Sequence, residues 1–508
     1  MNLADVVTQK SRLNARAPAV LVSNRVISYA EFDNLVWKAA VALRQMRIGS
    51  GDVVAISMGS QLMGLITMLA TARIGAVAFS WPKAMPVSQK MELGLKAGVQ
   101  RILSDKLAET TDIFPTSHLD LGSLAESRAP FENSIRESVP VAPFLLIAGS
   151  GSTGAPKIFA LSHAEMLNRA RLTAASIQLG PMDRILSVSN LDFTSPKERS
   201  FAALSAGAAV ALIEGETFDP VSLCHDMGIT VMNATVFHLE TMLKSLPDDA
   251  VNVLGSLRVL QVGASTVTDS LRRRVVQKIC RSLHVRYGTN ESGLISLAYP
   301  DELFIPPGNV GRPSPNVTVE IVDRSGLTLP RGQTGHIRVK SPGMIQGYMG
   351  DDSFTNMAFR DGWFYTGDLG AITSTGQLLH LGRSDHMMIT NGVNIYPAEI
   401  EHVLSQHPVV RDVAALPLKS EVHQDIPVCA VTIDPTQQVH EDTLIAFARE
   451  KIGSRAPVAI AILDAIPRNE QGKLIRAEAT RAIVAKIKSR RLPSGKNEKN
   501  QLNEAENR

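Results

Sequence analysis

Ser150, Gly151, Ser152, Thr153, Gly154, Ala155, Pro156 and Lys157 gather three hydroxyls, two glycines and a lysine into eight consecutive positions. Glycines let backbone N–H groups approach anionic oxygens, hydroxyls donate further hydrogen bonds and the lysine adds mobile positive charge, so the run suits a polyphosphate. The apolar Phe144 to Ala148 ahead of it reads as a buried strand feeding the loop. A Walker A loop is excluded: that motif ends in Gly-Lys-Ser/Thr, whereas Ala155-Pro156 separates Gly154 from Lys157. Composition alone favours a plain surface turn, and the rest of the chain shifts the choice.

Five further runs follow in order: Val285 to Glu291 (Val-Arg-Tyr-Gly-Thr-Asn-Glu), Asp361 to Asp368, Gly382 to Asp385, Asn391 to Glu401, and Pro467 to Lys473. With the first loop they resemble the adenylate-forming superfamily, which includes acyl-CoA synthetases, peptide-synthetase adenylation domains and firefly luciferase. The resemblance runs from about Ser28 to about Arg476. A carboxylic acid is a poor electrophile with a poor leaving group. Transfer of AMP from ATP cures both defects, provided the phosphate charge is neutralised in the transition state.

The resemblance implies an AMP-forming carboxylate–CoA ligase that makes acyl-AMP and pyrophosphate and then lets CoA displace AMP. The Asn394-Ile-Tyr-Pro397-Ala-Glu399 run is similar to CoA ligases in particular. A carrier-protein phosphopantetheine is the alternative acceptor. A protein that binds nucleotide or acyl-adenylate without turnover is an alternative of another class.

The same resemblance assigns roles. Lys473 bridges the acid carboxylate and the α-phosphate, and Glu291 with Thr153 holds Mg²⁺, a cation that prefers hard oxygen donors. Asn290 stands beside Glu291 in the catalytic set. Ser150, Gly151, Ser152, Thr153, Gly154 and Lys157 cradle phosphate. Tyr287, with Gly288 and Thr289, stacks on adenine opposite the Gly263, Ala264 and Ser265 turn. Asp368 and Arg383 grip the ribose. Asp385 is the hinge, and Gly392, Val393 and Asn394 line the thiol tunnel. Asp192, Phe193, Thr194, Thr235 and His238 border the pocket for a small, aromatic or medium-chain acid. Plainer readings stand beside these: a surface lysine, a helix N-terminal Glu291, a core tyrosine, a surface Asp–Arg pair and a turn glycine.

Asn290 replaces a usual threonine, Ile158 a usual glycine, and Asn469 a usual threonine or serine. The segment Asn190 to Arg199 departs further, with Thr194 where amino-acid adenylation domains keep an amine-binding aspartate, so a free amino acid is disfavoured. Lys197 or Arg199 could meet a second substrate carboxylate; the simpler expectation is surface charge on a helix.

These residues need a scaffold. Ser28 to Gln45 and Gln61 to Ile74 have helical periodicity and alternate with strand-like Val53 to Ser57 and Ala76 to Ser80; Leu186 to Ser189, Ala208 to Ile213, Val231 to Ala234 and Arg258 to Val262 continue the pattern. Such alternation predicts a parallel sheet covered by helices. From Gly311 to Gly382 short alternating strands predict an antiparallel sheet or barrel. The expected class is α/β: helix-covered sheets plus a small β-barrel-like part in a large domain over residues 1–382, a small mobile α+β domain over 383–486, and a basic tail over 487–508.

At 508 residues more than one domain is expected, and 44% hydrophobic with 20% charged residues is a globular composition. The 52 basic and 49 acidic residues nearly cancel; the excess sits in the tail, which lacks aromatic residues for base stacking and so predicts no nucleic-acid partner. Three scattered cysteines argue against disulfides or a zinc site. The start lacks a signal-peptide pattern and no apolar run is long enough to span a membrane, so a cytoplasmic protein is expected. Oligomeric state is left open.

Overall fold

The computed structural model describes residues 1–490 apart from 23–24, 81–84, 107–112, 128–139, 150–156, 216–217, 305, 307, 391–392, 421–423 and 470–471. The Ser150 to Pro156 run, Gly392 and the tail from 491 therefore lie outside the described residues.

Among the described residues the strands form four sheets. One has nine strands, in the order Arg312–Pro313, Gly293–Ala298, Leu283–Thr289, Val259–Gly263, Val231–Thr235, Arg184–Ser187, Ala209–Leu212, Pro18–Val22 and Arg25–Ser28. Its middle is parallel and its outermost pairs are antiparallel. The second has six strands: Thr116–His118, Arg101–Ser104, Val53–Ser57, Val77–Ser80, Pro143–Gly149 and Lys157–Ser162.

Helices between these sheets explain the strongly apolar runs. Gln61–Arg73 is buried along nearly its whole length, so it shows no polar face, as a helix covered on all sides should. Its one cation, Arg73, is paired with Asp33 at 2.6 Å. Tyr29–Gln45 starts at Ser28, whose hydroxyl accepts from the Glu31 N–H, and His163–Ser176 starts with a reciprocal Ser162–Glu165 capping box.

The third sheet is antiparallel and built from Thr318–Val322, Gly335–Lys340, Trp363–Ile372, Phe359–Arg360 and Leu378–Arg383. Beyond it, Met388–Thr390, Val393–Ile395, Val410–Ser420, Gln424–Ile433 and Ala459–Ile462 make a fourth sheet. Helices Pro397–Ser405, Glu441–Ile452 and Arg476–Arg490 accompany it, and two apolar clusters drawn only from Met388 onward give this part its own core. All three cysteines are buried and free. Among the described residues no helix is long and apolar enough to cross a membrane.

Candidate active site

Parallel sheets offer ligand sites at the carboxyl ends of their strands, where loops diverge and backbone groups lack partners. Gly149, Thr235, Gly263 and Thr289 are the last residues of their strands, so the expected nucleotide and acid positions lie at such ends.

Glu291 sits in the turn joining Leu283–Thr289 to the antiparallel Gly293–Ala298, not at a helix N-terminus. Its Oε1 accepts the Tyr348 hydroxyl at 2.9 Å. Burial first, then the Glu291 charge, pushes the Tyr348 phenol far above its ordinary range, so it stays a donor. Lys157 and Lys473 both lie within electrostatic reach of Glu291. Desolvation holds both ammonium groups below their ordinary range; Asp351 and then Glu291 oppose it at Lys157, and Glu291 opposes it at Lys473. Lys157 packs its ammonium against Phe354 and 5.5 Å from the Tyr348 ring centre. Lys473 is open to water, yet desolvation by the surrounding protein is the leading influence on its ammonium.

The turn is held from behind by Arg169, which is buried. Its Nε donates to the Gly343 carbonyl at 2.7 Å, Nη1 to Asn290 at 2.9 Å and Nη2 to Glu291 at 2.8 Å. One guanidinium thus fixes two loops distant in sequence. Asn290 and Gly288 are exposed, and the Thr289 hydroxyl is shared with Ser292 at 3.0 Å.

Tyr287 donates to Asp368 Oδ2 at 2.6 Å, and its ring centre lies 5.0 Å from that of His380. Burial would raise the Asp368 carboxyl, but His380, Tyr287 and Arg383 outweigh it and hold it below the ordinary carboxylate range. Arg383 lies 3.6 Å from Asp368 Oδ1, donates to the Thr366 carbonyl at 2.8 Å and forks onto Asp385 at 3.2 and 3.3 Å. Gly367 allows this: at φ +76° any Cβ would stand 2.8 Å from the guanidinium. Asp385 lies in a short 3₁₀ turn, Ser384–His386.

The loop bearing Lys473 docks beside Phe237 at the start of helix Val236–Ser245 and on the turn that follows strand Val259–Gly263. Ala264 turns the chain there at φ +70°, and the Ser265 hydroxyl donates to the Gly472 carbonyl at 3.1 Å. Arg468 donates to the same carbonyl at 3.1 Å while its fork grips Asp412 at 3.0 and 3.1 Å. Asn469 accepts from the Lys473 N–H at 2.9 Å through its side chain, so this departure from the family pattern closes the loop.

At the expected acid pocket, the Thr235 hydroxyl and His238 Nδ1 cap helix Val236–Ser245, and burial takes the His238 imidazole down to about 4. Thr194 is buried at the start of helix Thr194–Ala206, just after Phe193. The surface-charge expectation for this helix is overturned: Lys197 is 1% and Arg199 6% exposed, because the helix packs between the sheets. Lys197 donates to Ser80 Oγ at 2.6 Å and to the Asp192 carbonyl at 2.8 Å. Val393 is exposed and pairs with Thr390, while Asn394 pairs in register with Ile389.

Sequence reasoning missed Tyr348, His380 and Arg169. For Tyr348 the spaced glycines Gly343 and Gly347 ahead of an isolated tyrosine were a usable signal. For Arg169 there was none, since its partners are carbonyls.

A family model described as AMP-binding enzyme matches residues 7–349, and one described as AMP-binding enzyme C-terminal domain matches residues 399–473. The chain is 27% identical to an indoleacetate–CoA ligase of Aromatoleum aromaticum, covering 96% of this chain and 99% of that one. It is 25% identical to a 2-succinylbenzoate–CoA ligase of Bacillus cytotoxicus, over 94% and 98%. Its fold is similar to that of ATP-bound MatB from Rhodopseudomonas palustris, with TM-score 0.84, 23% identity, and 96% and 100% of the two chains covered. It is also similar to the amide bond synthetase McbA from Marinactinospora thermotolerans, with TM-score 0.82, 24% identity, and coverage of 94% and 98%.

Proposed function

The chain belongs to the AMP-binding enzymes, and from that premise we propose that it is an AMP-forming carboxylic acid–CoA ligase. The observation that supports this reading best is the hydrogen bond from Ser265, just past the end of a parallel strand, to the Gly472 carbonyl, which seats Lys473 of the C-terminal part within electrostatic reach of Glu291 in the turn between Thr289 and Gly293. Tyr287, Asp368 and Arg383 lie alongside.

An oxygen of the acid attacks the α-phosphorus of ATP, the bond to the β-phosphate breaks, and pyrophosphate leaves. Lys473 holds acid and α-phosphate together and offsets the charge that grows between them. Tyr287 supplies a ring face for adenine, and Asp368 with Arg383 orients the ribose. Lys157 and the preceding Ser150 to Gly154 loop take the other phosphates. Thiol sulfur then adds to the acyl carbon and AMP departs.

Glu291 fits the family's magnesium, because Tyr348 engages its Oε1 and Mg²⁺ keeps several waters while taking one or two carboxylates plus substrate phosphates. When bound, that ion would neutralise phosphate charge. Residues 1–382 and 383–486 would be the two parts that reorient about Asp385 between half-reactions, exposing the Gly392, Val393 and Asn394 face to the thiol.

Acid-dependent exchange of labelled pyrophosphate into ATP, followed by thioester assay with free CoA and with a phosphopantetheinyl carrier protein, tests the reading. Exchange with at least one acid and thioester with CoA are expected. Nucleotide binding without exchange for any acid overturns it in favour of a binding protein, and thioester with the carrier alone moves the acceptor.

A further inference from the structure

The layer between helix Thr194–Ala206 and the nine-stranded sheet holds more positive charge than it can neutralise. Arg286 Nη2 donates to Glu198 Oε1 at 2.5 Å, with side chains only 9% and 3% exposed. Arg199 is also buried, donating to Asn233 Oδ1 and to the Ser195 hydroxyl and carbonyl. Glu198, which also accepts from Thr173 at 2.9 Å, is the carboxylate between them. Burial and the Arg286 charge depress the Arg199 guanidinium to about 9, so the two cations repel each other through a poorly solvated space. Arg169 does not relieve this, being a third cation already committed to carbonyls.

Polar atoms in the same layer lack partners. Asn233 Nδ2, Gln261 Oε1 and Arg286 Nε are buried without a hydrogen bond. Asn233 and Gln261, 6% and 1% exposed, lie side by side in register on adjacent strands, and Gln261 is opposite His284, two residues before Arg286. These strands therefore present Asn233, Gln261 and Arg286 to one face. An uncompensated buried charge and buried polar atoms without partners are each destabilising unless something fills them.

The strand carrying Gln261 ends at Gly263, and Ser265 just beyond it holds the Gly472 carbonyl next to Lys473. Gln261 is two residues, or about 7 Å, deeper than Gly263. An extended acid held beside Lys473 and running back along this strand would bring its far end toward this layer.

We propose that the acid substrate is a dicarboxylate, whose second carboxylate, several bonds from the activated one, is bound by Arg286 and Arg199 with Asn233 Nδ2 as a further donor. A water bridging from that carboxylate supplies the donor for Gln261 Oε1. This rests on the ligase reading and names its substrate class.

Pyrophosphate exchange measured with matched pairs tests it: adipate against hexanoate, pimelate against heptanoate, suberate against octanoate, and 4-carboxyphenylacetate against phenylacetate. At least one diacid should exceed its partner about 10²-fold in kcat/KM, the scale for satisfying a buried charged site. The double substitution Arg286→Met with Glu198→Met, which removes both charges at similar volume, should abolish or reverse that preference, chiefly through KM. If it does not fold, the wild-type panel still decides. Monoacids equal to or better than every diacid partner overturn the proposal and leave the ligase reading standing. No exchange with any acid of either kind overturns both.

Discussion

Tyr287 and Asp368 form a single unit: a 2.6 Å hydrogen bond from the phenol to a buried carboxylate joins the expected adenine platform to the expected ribose grip. Their strands belong to different sheets, so the bond also sets how the antiparallel sheet meets the nine-stranded one. Tyr287→Phe keeps the ring and deletes the donor. It should weaken ATP binding by about 1–2 kcal/mol, with Asp368→Ala costing about 2–4 kcal/mol. Asp368 has a depressed carboxyl, so its contribution is present above the ordinary carboxylate range and fades as pH falls through its lowered value. Tyr287→Phe should move that fading to higher pH. Isothermal titration of ATP across pH checks both, and an unchanged Kd in Asp368→Ala would return the pair to a purely structural role.

Arg169 should be irreplaceable by lysine. An ammonium is a point donor and cannot serve the Gly343, Asn290 and Glu291 carbonyls in the planar pattern that a guanidinium matches. Arg169→Lys should lower stability by about 3–5 kcal/mol, since it leaves buried carbonyls and a displaced charge. Denaturant unfolding measures the loss, and a change below 1 kcal/mol would mean that the two loops hold their positions without it.

Local signals carried most of the framework. Ser28 to Gln45 announced a helix through its periodicity, and the structure adds the Ser28 cap that starts it; Val53 to Ser57 announced a strand because a β-branched run bounded by polar residues has few other uses. The same reasoning failed for Lys197-Glu198-Arg199. Three adjacent charges on a helix normally face water, and only the second sheet packed over the helix makes them interior. Glu291 was ambiguous because Thr-Asn-Glu-Ser begins helices as readily as it makes a hairpin turn, and the pairing of Gly293 with Thr289 decides between them. Tyr348 touches Glu291 across 57 residues of sequence, a contact that no local pattern encodes.

Lys197 should leave a pH signature on stability. Burial lowers its ammonium to about 7 from an ordinary value of 10.5. Between those two pH values the unfolded chain binds the proton and the folded chain sheds it, so stability should rise with pH there, by up to about 1.4 kcal/mol per unit from this group. Below the folded value both states are protonated and the slope vanishes. Urea unfolding of wild type and Lys197→Met from pH 6 to 10 isolates the effect, and equal slopes in the two proteins would sink it.

Lys473→Ala should cut acyl-adenylate formation by about 10²–10³-fold, the usual loss for one transition-state charge donor. Thioester formation from pre-made acyl-AMP should be largely spared, because the proposed mechanism assigns that step to another orientation of the C-terminal part. Comparable losses in both half-reactions would remove Lys473 from its proposed role.

Gly472 offers a test of placement separate from charge. At φ +75° it has a conformation costly for any L side chain, and a Cβ would lie 2.9 Å from the Phe237 backbone nitrogen and 3.0 Å from the Phe237 Cβ. Gly472→Ala must therefore push the loop away from the start of helix Val236–Ser245, lengthening the Ser265 to Gly472 hydrogen bond and carrying the unchanged Lys473 with it. A shift of about 1 Å at a positioned group is enough to slow adenylation by about 10²-fold, whereas thioester formation from acyl-AMP should continue at its former rate. Adding Ser265→Ala should then cost little more, because the bond it removes is already broken. A further loss from Ser265→Ala as large as in the wild-type background would show that the loop had not moved.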